Sequence, residues 1–522
     1  MKVSWKRATI GPLLGALGMA GLAIDAAAEL PPQARRVLSH HGVPAEHVSV
    51  YVHEVGVAEP AFVHLADTAR NPASTMKLLT TYAALDALGP GYTWHTDVFV
   101  EGELQDGRLD GDLVLQGGGD PYLVAERLWL LQRRLRLLGV EHIAGDLVFE
   151  GGPFAREASE PGAFDGQPFR TYNVQPSALL MNFQSLVFRF EPDPASGRVN
   201  IRSDPPVAGL QIDNRLRLGG GACGGYQRGI SFDARDRGEE FRAIFSGTFP
   251  AACERYAMRR ALRATDAYNF GIFKGMWEES GGSLNGGWRL REASPVEGER
   301  EPLLRFSSPS LSEVIRYVNK YSNNVMARHL MLTMASERYQ QPATRAMGVR
   351  AVREWLSSQG LAREGLALEN GAGLSRDARM TARHMGELLL HARDSLFVSE
   401  YIASLPLSAI DGTLRRRFER GGLEGRLHMK TGSLDHVSAI AGYAMSAAGR
   451  EYVVAVMMNS ENAHRGPGEE FQEAVIGWVL ANEPGPGPAT CAPPMVTDAS
   501  GAEGCCVDVA RAPRVVETAT HQ

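Results

Sequence analysis

The pattern of apolar positions predicts two strands and one helix near the start of the chain. Apolar and polar residues alternate over residues 47–55, and a second short apolar run covers residues 62–65. Such runs are typical of half-buried strands. A longer apolar run follows over residues 78–88, between Pro72 and Gly89. Proline near the start and glycine after the end are the expected signals of a helix.

The remaining pattern separates a strand-rich middle from a mixed final part. Short apolar runs between glycine and aspartate turns predict strands from residue 92 to about 253, with helices over 127–138 and 264–279. Near Arg305 the pattern of apolar residues changes. A capping box at Ser310 and Glu313 predicts a helix that reaches about residue 334. Further helices are predicted over 344–358, 381–392 and 471–480, and strands over 427–432, 439–446 and 452–459. The outer parts therefore predict an α+β fold, a five-stranded antiparallel sheet flanked by helices.

Composition limits the classes of protein to consider. The chain has 522 residues, too many for one ordinary core, so two or three domains are expected. Its net charge of −6 offers no basic field that would neutralise phosphates, so we predict no nucleic-acid partner. The run Arg133-Arg134-Leu135-Arg136 is interpreted as a solvated helix face. Histidines and cysteines show no metal-ligand spacing, so we predict no metal and no cofactor.

The two ends of the chain carry signals of export and of disorder. Residues 1–28 combine a basic start, an apolar stretch over 13–24 and the small residues Ala26-Ala27-Ala28. This arrangement predicts a signal peptide and a periplasmic protein, with an uncleaved membrane anchor as the alternative. Peripheral membrane contact is left open. Residues 483–522 are rich in proline and lack apolar periodicity, so they are predicted to form a disordered tail.

Ser74 and Lys77 form the first candidate for chemistry. They stand three residues apart at the start of the predicted helix, so the hydroxyl and the amine share one helix face. A serine becomes nucleophilic when a neighbouring base takes its proton, and burial beside a helix N-terminus lowers the pKa of a lysine. Alone, the pair also fits an N-terminal serine followed by a solvated lysine.

Two further motifs strengthen the catalytic interpretation. Tyr321-Ser322-Asn323-Asn324 lies within the helix predicted after Ser310, and Lys430-Thr431-Gly432-Ser433 follows a strand-like run. Together with Ser74 and Lys77, they make the three-part signature of active-site serine penicillin-binding proteins and of β-lactamases. Taken singly, the two motifs also fit a polar helix face and a strand that ends at a turn.

The chain resembles the D-alanyl-D-alanine carboxypeptidases/endopeptidases among the class C low-molecular-mass penicillin-binding proteins. The resemblance covers residues 48–480 and includes four further motifs: Gly118-Gly119-Asp120-Pro121, Tyr172-Asn173 with Pro176-Ser177-Ala178-Leu179, Gly371-x-Gly373-Leu374-Ser375-Arg376, and Asp411-Gly412-Thr413-Leu414. It implies a transpeptidase-like domain interrupted by nested, strand-rich domains. The expected bounds are 29–91 with 291–482 for the catalytic domain, 92–182 with 256–290 for the second domain, and 183–255 for the third.

The resemblance implies a role for each motif residue in the hydrolysis of peptidoglycan stem peptides. Ser74 would attack the D-alanyl carbonyl with Lys77 as base, and the N–H groups of Ser74 and Ser433 would form the oxyanion hole. Ser322 would pass the proton to the leaving amine, and Asn324 would bind Lys77 and the substrate amide. In substrate binding, Lys430 and Thr431 would hold the carboxylate of the substrate, and Gly432 would admit the substrate backbone. β-Lactams would be covalent inhibitors.

Alternatives stay open at this point. Tyr321 and Asn323 also match the Tyr-x-Asn motif of class C β-lactamases, and the choice of Ser322 with Asn324 depends on the resemblance. The long insertion and the lack of a Glu-x-x-Leu-Asn motif argue against a β-lactamase. The third hypothesis is a wall-binding scaffold without catalysis.

Two more pairs of residues are expected to interact. Cys223 and Cys253 are the only cysteines in the predicted folded part of an exported chain, so we expect a disulfide between them. Asp120 and Arg376 are predicted to bind the ammonium and the carboxylate of a diaminopimelate side chain, and the family resemblance points to the same two positions. The alternative is that Asp120 serves only the turn and Arg376 is a surface residue.

Overall fold

The structure is a computed structural model that describes residues 29–158, 160–223, 229–237, 240–262, 265–292 and 300–483, all within a single compact unit. The predicted signal peptide and the predicted tail beyond Glu483 lie outside the described residues, as do Cys491, Cys505 and Cys506. Within the described ranges, no helix has both the length and the apolar character needed to cross a membrane.

The first part of the chain contains two helices and two strands that surround the predicted site. These are α1 (Pro32–His41), β1 (Val48–Glu54), β2 (Phe62–His64) and α2 (Met76–Leu88). Every residue of α2 from Met76 to Leu85 is buried. A helix that is apolar on all sides belongs inside a core, and this explains the continuous apolar run in the sequence.

The middle part is rich in strands, as predicted. It contains β3 (His95–Gln105), β4 (Arg108–Gly117), α3 (Ala125–Leu137), β5 (His142–Ile143), β6 (Leu147–Glu150), β7 (Ser185–Asp193), β8 (Arg198–Asp204), β9 (Leu210–Gly219), β10 (Ile230–Arg237), β11 (Glu240–Pro250), β12 (Tyr256–Ala261), α4 (Thr265–Glu279), β13 (Ser283–Leu284), β14 (Trp288–Arg291) and β15 (Leu304–Ser307). These strands form one seven-stranded sheet and two three-stranded sheets.

The final part returns to the first and completes its sheet. It contains α5 (Leu311–Lys320), α6 (Asn324–Tyr339), α7 (Arg345–Ser358), α8 (Ala382–Arg393), α9 (Val398–Ala403), β16 (Leu427–Leu434), β17 (Val437–Met445), β18 (Glu451–Asn459) and α10 (Pro467–Asn482). The sheet order is β16-β17-β18-β1-β2, and all of its neighbouring strands are antiparallel. The predicted five-stranded antiparallel sheet is thus confirmed, and β1 from the start of the chain pairs with β18 from its end.

Helices cover both faces of this sheet. On one face, a cluster of buried side chains joins α2, α5, α6 and α8 to the sheet, and on the other face a second cluster joins α1 and α10 to it. Both faces being buried explains why β17 and β18 consist almost entirely of apolar residues.

The domain bounds stay a prediction, and two observations bear on them. The strand β15 hydrogen-bonds to β3 in the seven-stranded sheet, although the predicted bound at residue 291 assigns it to the catalytic domain. The buried side chains of the two predicted inserted domains form one continuous cluster. The two inserted domains therefore share part of their core.

The disulfide expected from the sequence is present between Cys223 and Cys253, with their Cα atoms 5.0 Å apart. Cys253 is fully buried in the cluster shared by the inserted sheets. The bond therefore closes a loop within the strand-rich middle part of the chain.

Candidate active site

Ser74 lies in a constrained turn immediately before α2. Residues Ala73–Thr75 form one 3-10 turn, and α2 begins at the next residue. Ala73 has a left-handed backbone, φ 45°, and its N–H donates to Asn71 Oδ1 at 2.9 Å. A Cβ on Gly373 would lie 1.8 Å from the carbonyl oxygen of Ala73, so only glycine fits there. The backbone around the serine is therefore fixed from both sides.

Lys77 connects this serine to the second motif. Its Nζ lies 2.9 Å from Ser74 Oγ, 2.6 Å from Asn324 Oδ1 and 2.6 Å from the carbonyl oxygen of Ala372. Burial, followed by the nearby charges of Lys430 and Arg328, holds the pKa of Lys77 well below its usual value. A fully buried amine beside a hydroxyl, with neutral acceptors around it, is suited to accept the serine proton.

Ser322 lies outside any helix, and this corrects one expectation from the sequence. The helix predicted from Ser310 to about residue 334 is two helices, α5 and α6, with a break between them. Ser322 adopts a left-handed backbone, φ 56°, and Asn323 caps α6 by accepting from the N–H of Met326 at 3.1 Å. The break turns the hydroxyl of Ser322 towards Lys430 Nζ, 2.9 Å away.

Tyr321 does not join this network. Its residue surface is 69% exposed, and its ring lies 6.2 Å from that of Tyr317, whereas Ser322 bonds to Lys430 and Asn324 bonds to Lys77. The geometry thus favours the interpretation with Ser322 and Asn324 over the one with Tyr321.

The strand β16 carries the third motif and brings in a residue that the sequence analysis did not single out. Lys430 is buried, and burial lowers its pKa to about 7. Its Nζ donates to the carbonyl oxygen of Thr431 at 2.6 Å. The hydroxyl of Thr431 donates to Thr413 Oγ1 at 2.8 Å. Thr413 belongs to the Asp411-Gly412-Thr413-Leu414 motif, and only the fold shows that it lies beside β16.

One half-buried ion pair holds two of these elements together. Lys320 Nζ donates to Asp411 Oδ2 at 2.5 Å and to the carbonyl oxygen of Leu405 at 2.9 Å. Lys320 ends α5 two residues before Ser322, and Asp411 stands two residues before Thr413. The pair therefore fixes both hydroxyl groups relative to each other.

Gly432 is required by the protein's own backbone. We expected it to admit the backbone of the substrate. A Cβ at this position would instead lie 2.6 Å from the carbonyl oxygen of Pro72, 2.9 Å from the nitrogen of Ser74 and 3.0 Å from that of Thr75. The strand therefore packs directly on the turn that carries the nucleophile.

A cavity of about 770 Å³ surrounds these groups. Its lining includes Ser74, Tyr172, Ser322, Asn324, Arg376, Ser433, Asp165 and Asp435. The guanidinium of Arg376 lies 3.2 Å from Asp435 Oδ2 and stacks over the ring of Phe164, 4.7 Å from its centroid. Arg376 is thus a half-exposed cation at the edge of the cavity.

Asp120 lies elsewhere. Its residue surface is 3% exposed, it does not line this cavity, and its Oδ1 accepts from the N–H of Tyr122 at 2.7 Å. Its Oδ2 is buried without a partner among the described residues, and burial raises the pKa of Asp120 to about 6. The structure thus brings Arg376 to the cavity but not Asp120. Two carboxylates there were missed by sequence reasoning, Asp165 and Asp435, and neither has a motif to mark it.

A serine bonded to a buried lysine, facing a serine-asparagine pair and a Lys-Thr-Gly strand, defines the class of active-site serine hydrolases that contains the transpeptidases and β-lactamases. Within that class, the chain belongs to the D-Ala-D-Ala carboxypeptidase 3 (S13) family, whose profile matches residues 34–479. The chain is therefore a serine-type D-Ala-D-Ala carboxypeptidase.

Individual relatives agree with this membership. The chain is 30% identical over 431 residues to the D-alanyl-D-alanine carboxypeptidase of Actinomadura sp. (strain R39), an alignment that covers 79% of this chain and 77% of that protein. Its fold is similar to that of penicillin binding protein 4 from Haemophilus influenzae, with a TM-score of 0.71, 23% identity and coverage of 86% and 98%. A predatory endopeptidase of Bdellovibrio bacteriovorus shares the fold at a TM-score of 0.51 and 14% identity, with coverage of 83% and 94%.

Proposed function

We propose that the chain hydrolyses D-alanyl-D-amino acid bonds of peptidoglycan stem peptides through an acyl-enzyme on Ser74. One observation carries the proposal: Lys77 is fully buried, lies 2.9 Å from Ser74 Oγ and has only neutral acceptors around it. In the first step, the neutral amine of Lys77 takes the serine proton while Oγ attacks the D-alanyl carbonyl carbon. The N–H groups of Ser74 and Ser433 stabilise the oxyanion that forms.

We propose that Ser322 delivers the proton to the leaving group. As the tetrahedral intermediate collapses, the C–N bond breaks and Ser322 donates its proton to the departing amine. Lys430, 2.9 Å away, stabilises the resulting charge on Ser322, whose proton is restored from the ammonium of Lys77. Lys430, Thr431 and Thr413 bind the carboxylate of the leaving residue. Water then attacks the acyl carbon and releases Ser74.

The first test uses a fluorescent penicillin and a D-Ala-D-Ala pentapeptide. We expect a stable label and release of D-alanine, both lost in Ser74→Ala. Rapid turnover of the penicillin without a trapped adduct would favour a β-lactamase instead. A folded protein that neither binds the label nor cleaves the peptide would favour the wall-binding scaffold.

We propose that cross-linked peptides are substrates too, as a DD-endopeptidase requires. The bond in a cross-link has the same D-alanyl carbonyl, and only the amine that leaves is larger. The support is the open cavity of about 770 Å³ beside Ser74. Mass spectrometry of digested sacculi measures this directly: loss of dimeric muropeptides indicates endopeptidase activity, and loss of terminal D-alanine alone indicates carboxypeptidase activity only.

We also propose that the cavity recognises a zwitterionic diaminopimelate side chain. Arg376 is suited to the carboxylate because its planar guanidinium donates two parallel hydrogen bonds. Either Asp120 or Asp165 binds the ammonium, and exposure in the cavity favours Asp165, which already accepts from the hydroxyl of Tyr172 at 2.7 Å.

Matched variants decide between the two carboxylates. We expect Asp165→Asn to slow hydrolysis of a diaminopimelate pentapeptide about tenfold, the effect of one lost charged contact of about 1.4 kcal/mol. Benzylpenicillin, which lacks this side chain, should acylate the variant at the normal rate. If Asp120→Asn gives this selective loss and Asp165→Asn does not, Asp120 is the ligand. Equal losses with both substrates in each variant would exclude a specificity role.

We propose that the protein is exported to the periplasm. The signal pattern of residues 1–28 supports this, and so does the disulfide between Cys223 and Cys253, because disulfides persist in oxidising compartments. Cell fractionation with N-terminal sequencing tests the proposal. An uncut N-terminus in the membrane fraction would indicate the anchor, and cytoplasmic protein would contradict export.

A further inference from the structure

The side chain of Arg328 is a buried cation without a carboxylate partner. It lies on α6 one helical turn after Asn324, and its residue surface is 8% exposed. Its Nη1 donates to the carbonyl oxygen of Val174 at 2.9 Å. A guanidinium has five N–H donors and normally pairs with a carboxylate when buried. Among the described residues, no acidic group lies within ion-pair distance of it.

The surroundings of Arg328 do not neutralise its charge. It lines a cavity of about 360 Å³ together with Arg345, Glu157 and Glu160. Glu157 accepts from the backbone N–H of Arg345 at 2.8 Å, and neither glutamate forms an ion pair with Arg328. Burial, followed by the charge of Arg345, lowers the pKa of Arg328 to about 10. Arg328 therefore stays protonated at neutral pH.

The groups that face Lys77 are neutral or cationic. Ser74 comes from the turn before α2, Asn324 comes from α6, the carbonyl of Ala372 comes from the loop before Arg376, and Lys430 comes from β16. Asn324, which contacts Lys77 at 2.6 Å, and Arg328 share one face of α6 because residues four apart lie one above the other. No anion of the described residues bonds to the ammonium that Lys77 would form.

We propose that Arg328 is a positioning residue whose fixed charge keeps Lys77 in the neutral form that accepts the serine proton. This proposal rests on the acyl-enzyme mechanism above and adds a residue outside its three motifs. A positive charge near an amine opposes its protonation, and the low dielectric of a buried site strengthens the effect. Arg328 suits this task because a guanidinium keeps its proton where a second lysine would lose it.

The hydrogen bond from Arg328 to Val174 would also serve a purely structural role. By bonding to Val174, Arg328 holds the segment whose Tyr172 carbonyl accepts from Asn324 Nδ2 at 3.4 Å. The charge and the hydrogen bond must therefore be separated in the experiment. Arg328→Gln keeps a donor for Val174 and loses the charge, whereas Arg328→Lys keeps a donor and only part of the charge, because a buried amine loses its proton more readily.

The measurement is the second-order rate of acylation by fluorescent penicillin between pH 5 and 10. In the wild type, the rate rises with pH as Lys77 loses its proton. We expect Arg328→Gln to move this rising limb to higher pH by about one unit, because Lys77 keeps its proton more readily once the nearby positive charge is gone. Arg328→Lys, whose buried amine loses its proton more readily than a guanidinium does, should move the limb in the same direction by a smaller amount.

Two results would contradict the proposal. If both variants acylate more slowly at every pH and the limb does not move, Arg328 only holds the segment at Val174 and the proposal is wrong. If Arg328→Gln does not fold, Arg328→Met replaces it as an uncharged variant; it also loses the donor for Val174, so only the position of the limb, and not the overall rate, then reports on the charge. Labelling that persists in Ser74→Ala would overturn the acyl-enzyme mechanism and this proposal together, whereas an unmoved limb with Ser74-dependent labelling overturns this proposal alone.

Discussion

Replacement of Gly432 by alanine tests the packing of β16 against the nucleophile. A Cβ there would lie 2.6 Å from the carbonyl oxygen of Pro72 and 2.9 Å from the nitrogen of Ser74. Both atoms belong to the backbone, so no side chain can rotate away. Ordinary contact begins near 3.4 Å, and the strand must therefore move by about 0.8 Å from the turn. The backbone of Gly432 is not left-handed, so contact and not conformational strain causes the effect.

This displacement affects the oxyanion hole directly. The N–H groups of Ser74 and Ser433 lie on the two segments that separate, and a misplacement of about 1 Å at a reacting group costs roughly 100-fold in rate. We expect Gly432→Ala to acylate about 30- to 100-fold more slowly. Overpacking of this kind also lowers the free energy of unfolding by about 1–3 kcal/mol.

The assay is the second-order rate of labelling by fluorescent penicillin, with thermal unfolding measured on the same samples. Gly91→Ala is the matched control, because a Cβ at that glycine meets nothing within 4 Å. The control should acylate and unfold like the wild type. A Gly432→Ala variant that acylates within threefold of the wild type would refute the inferred role of this close approach.

Three further variants address the remaining parts of the site and fold. Tyr321→Phe should keep the acylation rate, whereas Ser322→Ala should lose at least 100-fold; the reverse would restore the tyrosine interpretation. Since Lys430 loses its proton as pH rises through about 7, kcat/KM for peptides should fall above that pH. In Lys430→Arg, this fall should begin at a higher pH. A Cys223→Ser, Cys253→Ser double variant should lose about 3–4 kcal/mol of stability in denaturant melts, because the bond closes a loop over a separation of 30 residues.

The motifs were predictable because each is local in sequence. Ser74 and Lys77 share a helix turn, and Lys430 with Thr431 follows an alternating strand pattern, so spacing alone places these side chains. The five-stranded sheet was predictable for the same reason, since its strands show the continuous or alternating apolar runs of buried strands.

Other parts depended on contacts between distant segments. The break at Ser322 is invisible in the apolar pattern, because the helices on both sides contribute apolar residues to the same buried cluster, and only the capping by Asn323 marks it. Thr413 and the carbonyl of Ala372 reach the site through the fold of their loops. Asp165 has no motif of its own, so its place in the cavity follows only from the path of the chain around it.

The inserted part of the chain takes part in building the catalytic site. Three side chains of α6 bond to carbonyl oxygens of residues 172–177: Asn324 to Tyr172 at 3.4 Å, Arg328 to Val174 at 2.9 Å and His329 to Ser177 at 3.0 Å. Each of these side chains is buried, so losing its partner would leave a polar group without a hydrogen bond. Asn324 also contacts Lys77, so a shift of this segment would move the amide that bonds to Lys77. We therefore expect removal of the inserted part to lower the acylation rate, because Asn324 would lose its hydrogen bond to Tyr172.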